Sequence, residues 1–432
     1  MKKSLFAFLA VWYSAIAKKL ESTVNGKNES EPMKYLHKEM LTEELSTDLK
    51  WGSSSIDGSI VAADIVAMDS ELPLKKQDVI ETASGDIPKA GMKLKLTEKQ
   101  LSDIDTMRAK GVAIVEVVKK VFAQVKKVVF GIYERNEAMF LEALSTGQTL
   151  VEDTENAGLG IRVDFGYKDS NKYNATKAWS DTSAKIVDDV KAILKAAKSK
   201  GITHRVIMMD DVTASYISDN EQVKNNFAFS GGIATVGANV PSLDDEQLVS
   251  FFKKKFGLSL RIVDRTITIE KNGKRSVKTP WAEGAVVFLP SEKVGRLVYG
   301  ILAEDTRRDP AIMYEKVEYI LVKKWHTNEP FSEFTSSQAL CLPVIDNASS
   351  IFLLDTKSAN VEDTQTEGDA NFDYKGVSYT KESVVAAIKI VKPTSTVTVN
   401  STDAALMTII NKFNEEQVAV FEENIVASET EG

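Results

Sequence analysis

The residue types that most often carry chemistry are few in this chain and poorly grouped. There are three histidines, His37, His204 and His326, and one cysteine, Cys341. The histidines lie far apart, and neither H-x-x-x-H nor H-E-x-x-H occurs, so a histidine-built metal site is not expected. Each reads as a surface or interface histidine. A single cysteine excludes an intrachain disulfide and a four-cysteine zinc site. Cys341 sits in the apolar run Leu340-Cys341-Leu342-Pro343 and reads as a small core residue. Asp210-Asp211 follows a short apolar strand and could hold a metal or act as an acid/base pair there. Its place just ahead of Val212-Thr213-Ala214 favours a helix cap, with Asp211 as the capping residue. Glu134, Arg135 and Glu137 fall at helical spacing. They read as a solvated, salt-bridged face or as an inter-subunit charge contact. Lys253-Lys254-Lys255 and Arg307-Arg308 are short and isolated, which makes them solvated surface first and subunit contacts second. Gly231-Gly232 with Gly237 lacks the G-x-G-x-x-G spacing. No G-x-x-x-x-G-K-[ST] or G-x-S-x-G occurs. No cofactor, metal or catalytic set is expected from these residues.

The elements around them suggest a scaffold. The chain has 432 residues, of which 43% are hydrophobic and 27% charged, enough to bury cores in two to four domains. The net charge of −8 argues against a protein built mainly to clamp nucleic acid. Residues 1–17 have two readings. Met1-Lys2-Lys3, the apolar stretch to Ala17 and its small-residue end imitate a secretory signal. Alternatively, Leu5, Phe8, Leu9, Trp12, Ile16 and Leu20 fall on one face of an amphipathic helix. The stretch is too short for a membrane span.

Residues 21–55 read as a polar arm with little core of its own, ending at a flexible Gly52-Ser53-Ser54-Ser55 joint. Ile60–Met68 is a strand candidate, and Met92, Leu94 and Leu96 alternate with lysines in a second. Together they describe a projecting β-arm that needs a partner to lie upon. From 97 to 145 apolar residues recur every three to four positions. This is one very long helix or two, with a possible break at Gly111 and a stop at Gly147, opened by Thr97-Glu98-Lys99-Gln100. A hairpin over 149–170 follows. Alternating helices and strands then form a compact α/β-rich domain over roughly 170–345. Its parts include a strand at Arg205–Met209, helices at 212–218 and 244–256, an Asn272-Gly273 hairpin and a strand at Ala285–Pro290. Glu315–Trp325 reads as one long strand, and Ala339–Ile345 as another. Residues 356–371 read as a linker. Residues 372–432 read as a small α/β appendage with helices from Thr380 and Thr402, a strand at 394–399 and a disordered tail after Val426.

The order of these parts carries a resemblance. Asp69-Ser70-Glu71-Leu72-Pro73-Leu74 precedes Gly85-Asp86-Ile87-Pro88-Lys89. Glu134-Arg135-Asn136-Glu137 is followed by Ala143-Leu144-Ser145-Thr146-Gly147, and then by Asp164-Phe165-Gly166. Trp179-Ser180-Asp181 leads into Ile186–Val190. Ala285–Ser291 and Leu340–Ile345 close the series. In this order the chain resembles the major capsid proteins of tailed bacteriophages, in particular the lambda-type major capsid protein E group, over about 60–350. The resemblance implies an α+β fold of the Hong Kong 97 type. It would have an N-terminal arm (1–55) and an extended loop (56–98). The peripheral domain would hold a spine helix and hairpin (99–170) with a returning strand (311–337). The axial domain would be 171–310 with a closing strand (338–355). A linker (356–371) and the appendage (372–432) lie outside the pattern.

The function it implies is a self-assembling icosahedral shell of hexamers and pentamers around double-stranded DNA. Scaffolding, portal and decoration proteins are the expected partners. The location would be the virion, with assembly in the host cytoplasm. An acidic lining would repel the packaged DNA. On this reading the subunit-interface candidates are Asp69, Glu71, Lys75, Lys76 and Lys89 in the loop, Glu134, Arg135 and Glu137 on the helix, and Arg307 and Arg308. An encapsulin-like shell, an exported surface protein and a hydrolase using Asp210 or Asp211 are the alternatives.

Overall fold

The chain enters through a two-residue strand, β1 (Lys2–Lys3), a 3-10 turn (Ala7–Leu9) and helix α1 (Ala10–Val24). The computed structural model describes residues 2–24, 35–56, 80–152, 160–230, 242–271, 274–359, 371–375, 377–392 and 403–425. Phe6, Leu9, Tyr13, Ala17, Leu20 and Val24 recur every three to four residues, and all are buried. The face expected from sequence is therefore corrected. Leu5, Phe8 and Trp12 point outward, at 37%, 52% and 39% exposure. A segment apolar almost all round does not choose its own buried face. The choice is made by Tyr13, which stacks on Phe122 with ring centroids 5.3 Å apart. Residues 5–17 are thus part of the folded body.

Helix α2 (Leu36–Met40) and strands β2 (Leu41–Ser46), β3 (Lys50–Ile56), β4 (Ile80–Asp86) and β5 (Lys89–Thr97) follow. Tyr35, His37, Met40, Leu41 and Trp51 of this stretch are all buried, Tyr35 against Phe130 and Tyr133 and Trp51 against Phe165. The Gly-Ser joint is strand: Gly52 pairs with Ser84 and Ser55 with Glu81 across β3 and β4. The strand candidate at Ile60–Met68 lies outside the described residues. The long helical stretch is two helices, α3 (Glu98–Ala109) and α4 (Ile114–Thr146), broken at Gly111 with φ +68°. Gln100 accepts from the Thr97 amide at 2.9 Å, closing the expected cap. The 33 residues of α4 span about 50 Å. The helix stops at Gly147, whose φ is +80° and whose added Cβ would lie 2.7 Å from the Tyr167 ring. Strands β6 (Gln148–Glu152) and β7 (Gly160–Asp164) then pair as the expected hairpin.

The remaining elements of this unit are β8 (Lys172–Ala175), α5 (Ile186–Ser199), β9 (Val206–Asp210), α6 (Asp211–Asp219), α7 (Glu221–Ser230), α8 (Asp245–Phe256), β10 (Ser259–Val263), β11 (Ile267–Lys271), β12 (Lys274–Lys278), β13 (Ala285–Leu289), β14 (Gly295–Gly300), α9 (Ala303–Thr306), β15 (Met313–Val317), β16 (Ile320–Asn328), β17 (Phe331–Ile345) and β18 (Phe352–Ala359). The single long strand expected at 315–325 is a tight hairpin. Strands β15 and β16 pair Val317 with Ile320, and Glu318 turns the chain with φ +54°.

Two sheets organise the unit. The seven-stranded sheet runs β1-β16-β17-β14-β2, with β15 on β16 and β5 on β17. Helix α4 packs on it, and Ser337 of β17 donates to the Val128 carbonyl at 2.6 Å. The five-stranded sheet runs β10-β9-β13-β18-β8. Its own core includes Trp179, Ile193, Ile207, Phe252, Phe288 and Phe352. Strand β14 belongs to the first sheet and pairs with both β17 and β2. Strand β17 lies in the first sheet and β18 in the second.

The chain's second compact unit is Val361–Gly432. It contains a hairpin of β19 (Asn371–Tyr374) and β20 (Val377–Thr380), followed by α10 (Lys381–Val391), α11 (Asp403–Ile410) and α12 (Glu415–Asn424). Phe372, Val384, Ile388, Leu406, Ile410 and Phe421 form its core. The strand expected at 394–399 and the tail after 426 lie outside the described residues. This unit has thirteen acidic and five basic residues, so it holds the whole net charge of −8. Residues 1–360 balance 49 acids against 49 bases. The net acidic charge therefore lies in this second unit.

Candidate functional site

Charged groups, two of them fully buried and one partly exposed, fasten the N-terminal segment of the first unit to elements far away in sequence. Three anchors do this. The first is Glu333 on β17, fully buried. It accepts from the Ser4 hydroxyl and from the Leu5 amide at 3.2 Å. Lys324 on the neighbouring strand, also fully buried, lies 3.9 Å from the same carboxylate and donates to Thr335 at 2.9 Å. Burial lowers the Lys324 ammonium to about 8, and the Glu333 charge opposes that shift.

The second anchor is Glu137 on α4. Its carboxylate accepts from the amides of Leu36 and His37 at 2.9 and 3.0 Å and from His37 Nδ1 at 2.6 Å. Burial pushes this carboxyl upward, but the His37 ring and the two amides hold it below the usual carboxylate range. An aromatic shell encloses the pair. Tyr35 lies 5.4 Å from the His37 ring and 5.7 Å from Tyr133. Tyr35 donates to Glu134 at 3.0 Å, and Arg265 reaches the same carboxylate at 2.8 Å. Lys38 bonds to Glu318, which also accepts from Tyr133 at 2.7 Å. These two bonds hold the side chain at the left-handed turn of the β15–β16 hairpin. Asn136 donates to Tyr319 at 3.0 Å, and the Cys341 thiol points at the Asn136 carbonyl at 3.3 Å. Burial pushes that thiol up to about 12.

The third anchor is Arg296 on β14. It takes Asp346 with two nitrogens, at 2.8 and 3.0 Å, Glu44 of β2 at 2.7 Å and the Gly52 carbonyl of β3 at 2.7 Å. The Asp346 carboxylate raises its basicity further. A planar, permanently charged fork is the side chain suited to bridging several strands in this way.

The residues singled out in the sequence fall as follows. Glu134 and Glu137 are not a solvated face; they bind the N-terminal segment of their own chain. Arg135 is half-buried beside them. His37 and His204 are buried, at 0% and 5% exposure, which corrects their reading as surface histidines. Cys341 is the core residue expected. Asp210, not Asp211, caps α6, with Thr213 donating its hydroxyl at 2.5 Å and its amide at 3.4 Å. Lys89 is exposed at the start of β5, opposite Leu340. Arg308 pairs with Asp305 at 2.6 Å, and Arg307 is exposed next to it. Asp69, Glu71, Lys75 and Lys76 lie outside the described residues. Trp179 of the Trp-Ser-Asp stretch is buried and donates to Asp189 at 2.9 Å, so that motif anchors the second core. Sequence reading missed Glu333, Lys324, Arg296 and Glu318. Glu333, Arg296 and Glu318 have no charged residue next to them in the sequence, and Lys324 follows Lys323, so nothing local marks which of the two is buried. Among the described residues no group of three His, Cys, Asp or Glu is placed to hold a metal. Nor is any helix among them long and apolar enough to cross a membrane.

What the fold and these anchors define is a structural α+β subunit whose N-terminal segment is built into its body. The chain belongs to the phage major capsid protein E family, whose model matches residues 28–355. It is a shell-forming capsid protein of the virion, and the encapsulin reading is the weaker one. None of the curated proteins matches it significantly. Solved structures that match the chain include a prophage capsid protein of Escherichia coli CFT073, at 14% identity and TM-score 0.48, covering 78% of this chain and 98% of that one. A phage-related protein of Bordetella bronchiseptica RB50 has 11% identity and TM-score 0.45, covering 80% and 97%. A subunit of the bacteriophage PhiM1 mature capsid has 9% identity and TM-score 0.40, covering 74% and 87%.

Proposed function

We propose that the protein assembles as hexamers and pentamers into an icosahedral shell of Hong Kong 97 type that encloses double-stranded DNA. Scaffolding, portal and decoration proteins are its partners, and assembly takes place in the host cytoplasm. The observation that carries the self-assembly is the second apolar face of the helical segment formed by the 3-10 turn and α1. Its inner face is buried in the subunit, yet Phe8, Val11 and Trp12 stand outward at 52%, 83% and 39% exposure. A helix apolar on both sides belongs between two packed layers. In a shell of identical subunits the second layer is another copy. Lys89, Arg135, Arg307 and Arg308 remain contact candidates at such joints, as do Asp69, Glu71, Lys75 and Lys76 in the extended loop.

Negative-stain electron microscopy of the purified protein tests this. Closed polyhedral shells, or free hexameric and pentameric rings, are the expected result. Failure to form shells even with a co-expressed scaffold would overturn the reading.

A further inference from the structure

Helix α4 carries a run of charge that its own fold does not explain. Lys119, Lys120, Lys126 and Lys127 are all exposed, and with Ala123 they form one stripe along the helix, since residues seven apart share a face. The opposite face, with Val118, Val121, Phe122, Val125 and Val129, is buried in the body. One acid accompanies the stripe within the helix: Glu116, 2.7 Å from Lys119. Lys120 points at the Met107 sulfur at 3.8 Å, and Lys126 lies over the Phe130 ring at 5.4 Å.

The other lysine run behaves differently. Lys253, Lys254 and Lys255 occupy the last turn of α8, where the helix dipole stabilises cations. The stripe on α4 lies in the first half of its helix, where cations gain nothing from the dipole. Four ammonium groups within about 12 Å of helix repel one another. They do so in a body whose 49 acids and 49 bases balance as a whole. An extended anion laid along them would relieve that repulsion.

We propose that this lysine stripe is the surface at which the subunit meets the phosphate backbone of the enclosed double-stranded DNA. This rests on the shell reading above. Contact is weak and independent of sequence, because the four lysines are point charges and no base-reading group accompanies them.

The test uses the full chain and a fluorescent 25-base-pair duplex of mixed sequence. Anisotropy is followed between 50 and 200 mM salt. If the four lysines each neutralise a phosphate, log K falls with log salt at a slope of about −3.6, a weakening of roughly 150-fold over that range. The K119Q/K120Q/K126Q/K127Q variant is expected to lose binding at least tenfold at 50 mM salt, with a slope near zero. K126Q/K127Q is expected to keep about half the slope. The K253Q/K254Q/K255Q control is expected to bind as the parent does.

Parent-like binding by the fourfold variant would overturn the proposal, as would equal loss in the control. A third result would also overturn it: the fourfold variant keeps duplex binding but loses salt-sensitive self-association. The stripe would then meet an acidic segment of another copy. Electron microscopy of the same samples keeps the two readings apart. Shells that form normally from a variant with unaltered DNA binding would sink this inference and leave the capsid reading intact.

Discussion

The His37 imidazole and the Glu137 carboxylate lie 2.6 Å apart, and neither side chain is exposed to solvent. One hundred residues separate them, so the contact is made only when the N-terminal segment docks on α4. Breaking a buried pair by removing one partner leaves an uncompensated charge or donor set, at a cost of about 3–5 kcal/mol. Glu137→Ala is therefore expected to lower the unfolding free energy by that order. Hydrogen exchange should rise first over residues 35–46. Exchange that rises uniformly, or not at all, would contradict the anchoring role.

Deleting residues 2–17 tests how far the N-terminus belongs to the body. The deletion removes Phe6, Leu9, Tyr13 and Ala17 from the core and bares Phe122. Each large apolar side chain contributes about 1.5–3 kcal/mol by burial. The deleted protein is expected to aggregate or to bind a hydrophobic dye strongly. A soluble, cooperatively unfolding product with parental stability would show that the segment is dispensable.

Lys324 gives a pH signature. Its ammonium titrates near 8 when folded, against 10.5 unfolded, so the unfolded chain holds more protons between those values. Stability from this group is present above 10.5 and is lost as pH falls through 8. Relative to Lys324→Met, the parent should gain about 3 kcal/mol between pH 7.5 and 10.5. Denaturant unfolding of both proteins across that range provides the measurement, and parallel profiles would refute it.

The outward face of the 3-10 turn and α1 separates folding from assembly. Phe8→Ser, Val11→Ser and Trp12→Ser together remove exposed apolar surface and leave Leu9, Tyr13 and Ala17 in place. The monomer is expected to keep its melting temperature within a few degrees while shell formation fails. Shells formed at the parental rate would mean that this face is not a contact.

Much of the architecture is legible along the chain because it is written in local periodicity. The repeat of apolar residues from 114 to 144 produces α4, Gly147 must stop it because its φ is positive, and the order of motifs carries the family. Where periodicity gives no preference, reading fails. The 1–20 segment is apolar on both faces, so only Tyr13 against Phe122 decides which side is inside. Glu315–Trp325 looks like one strand because the turn at Glu318 uses neither glycine nor proline.

The sequence by itself determined the helices, most of the strands, the core character of Cys341 and the kind of protein this is. Tertiary structure alone decided what the charged residues do. Glu137, Glu333 and Arg296 each find partners roughly a hundred or more residues away. A buried charge is tolerated only where folding brings its counter-charge and amides within hydrogen-bond reach, and no local pattern announces a pairing that depends on chain closure.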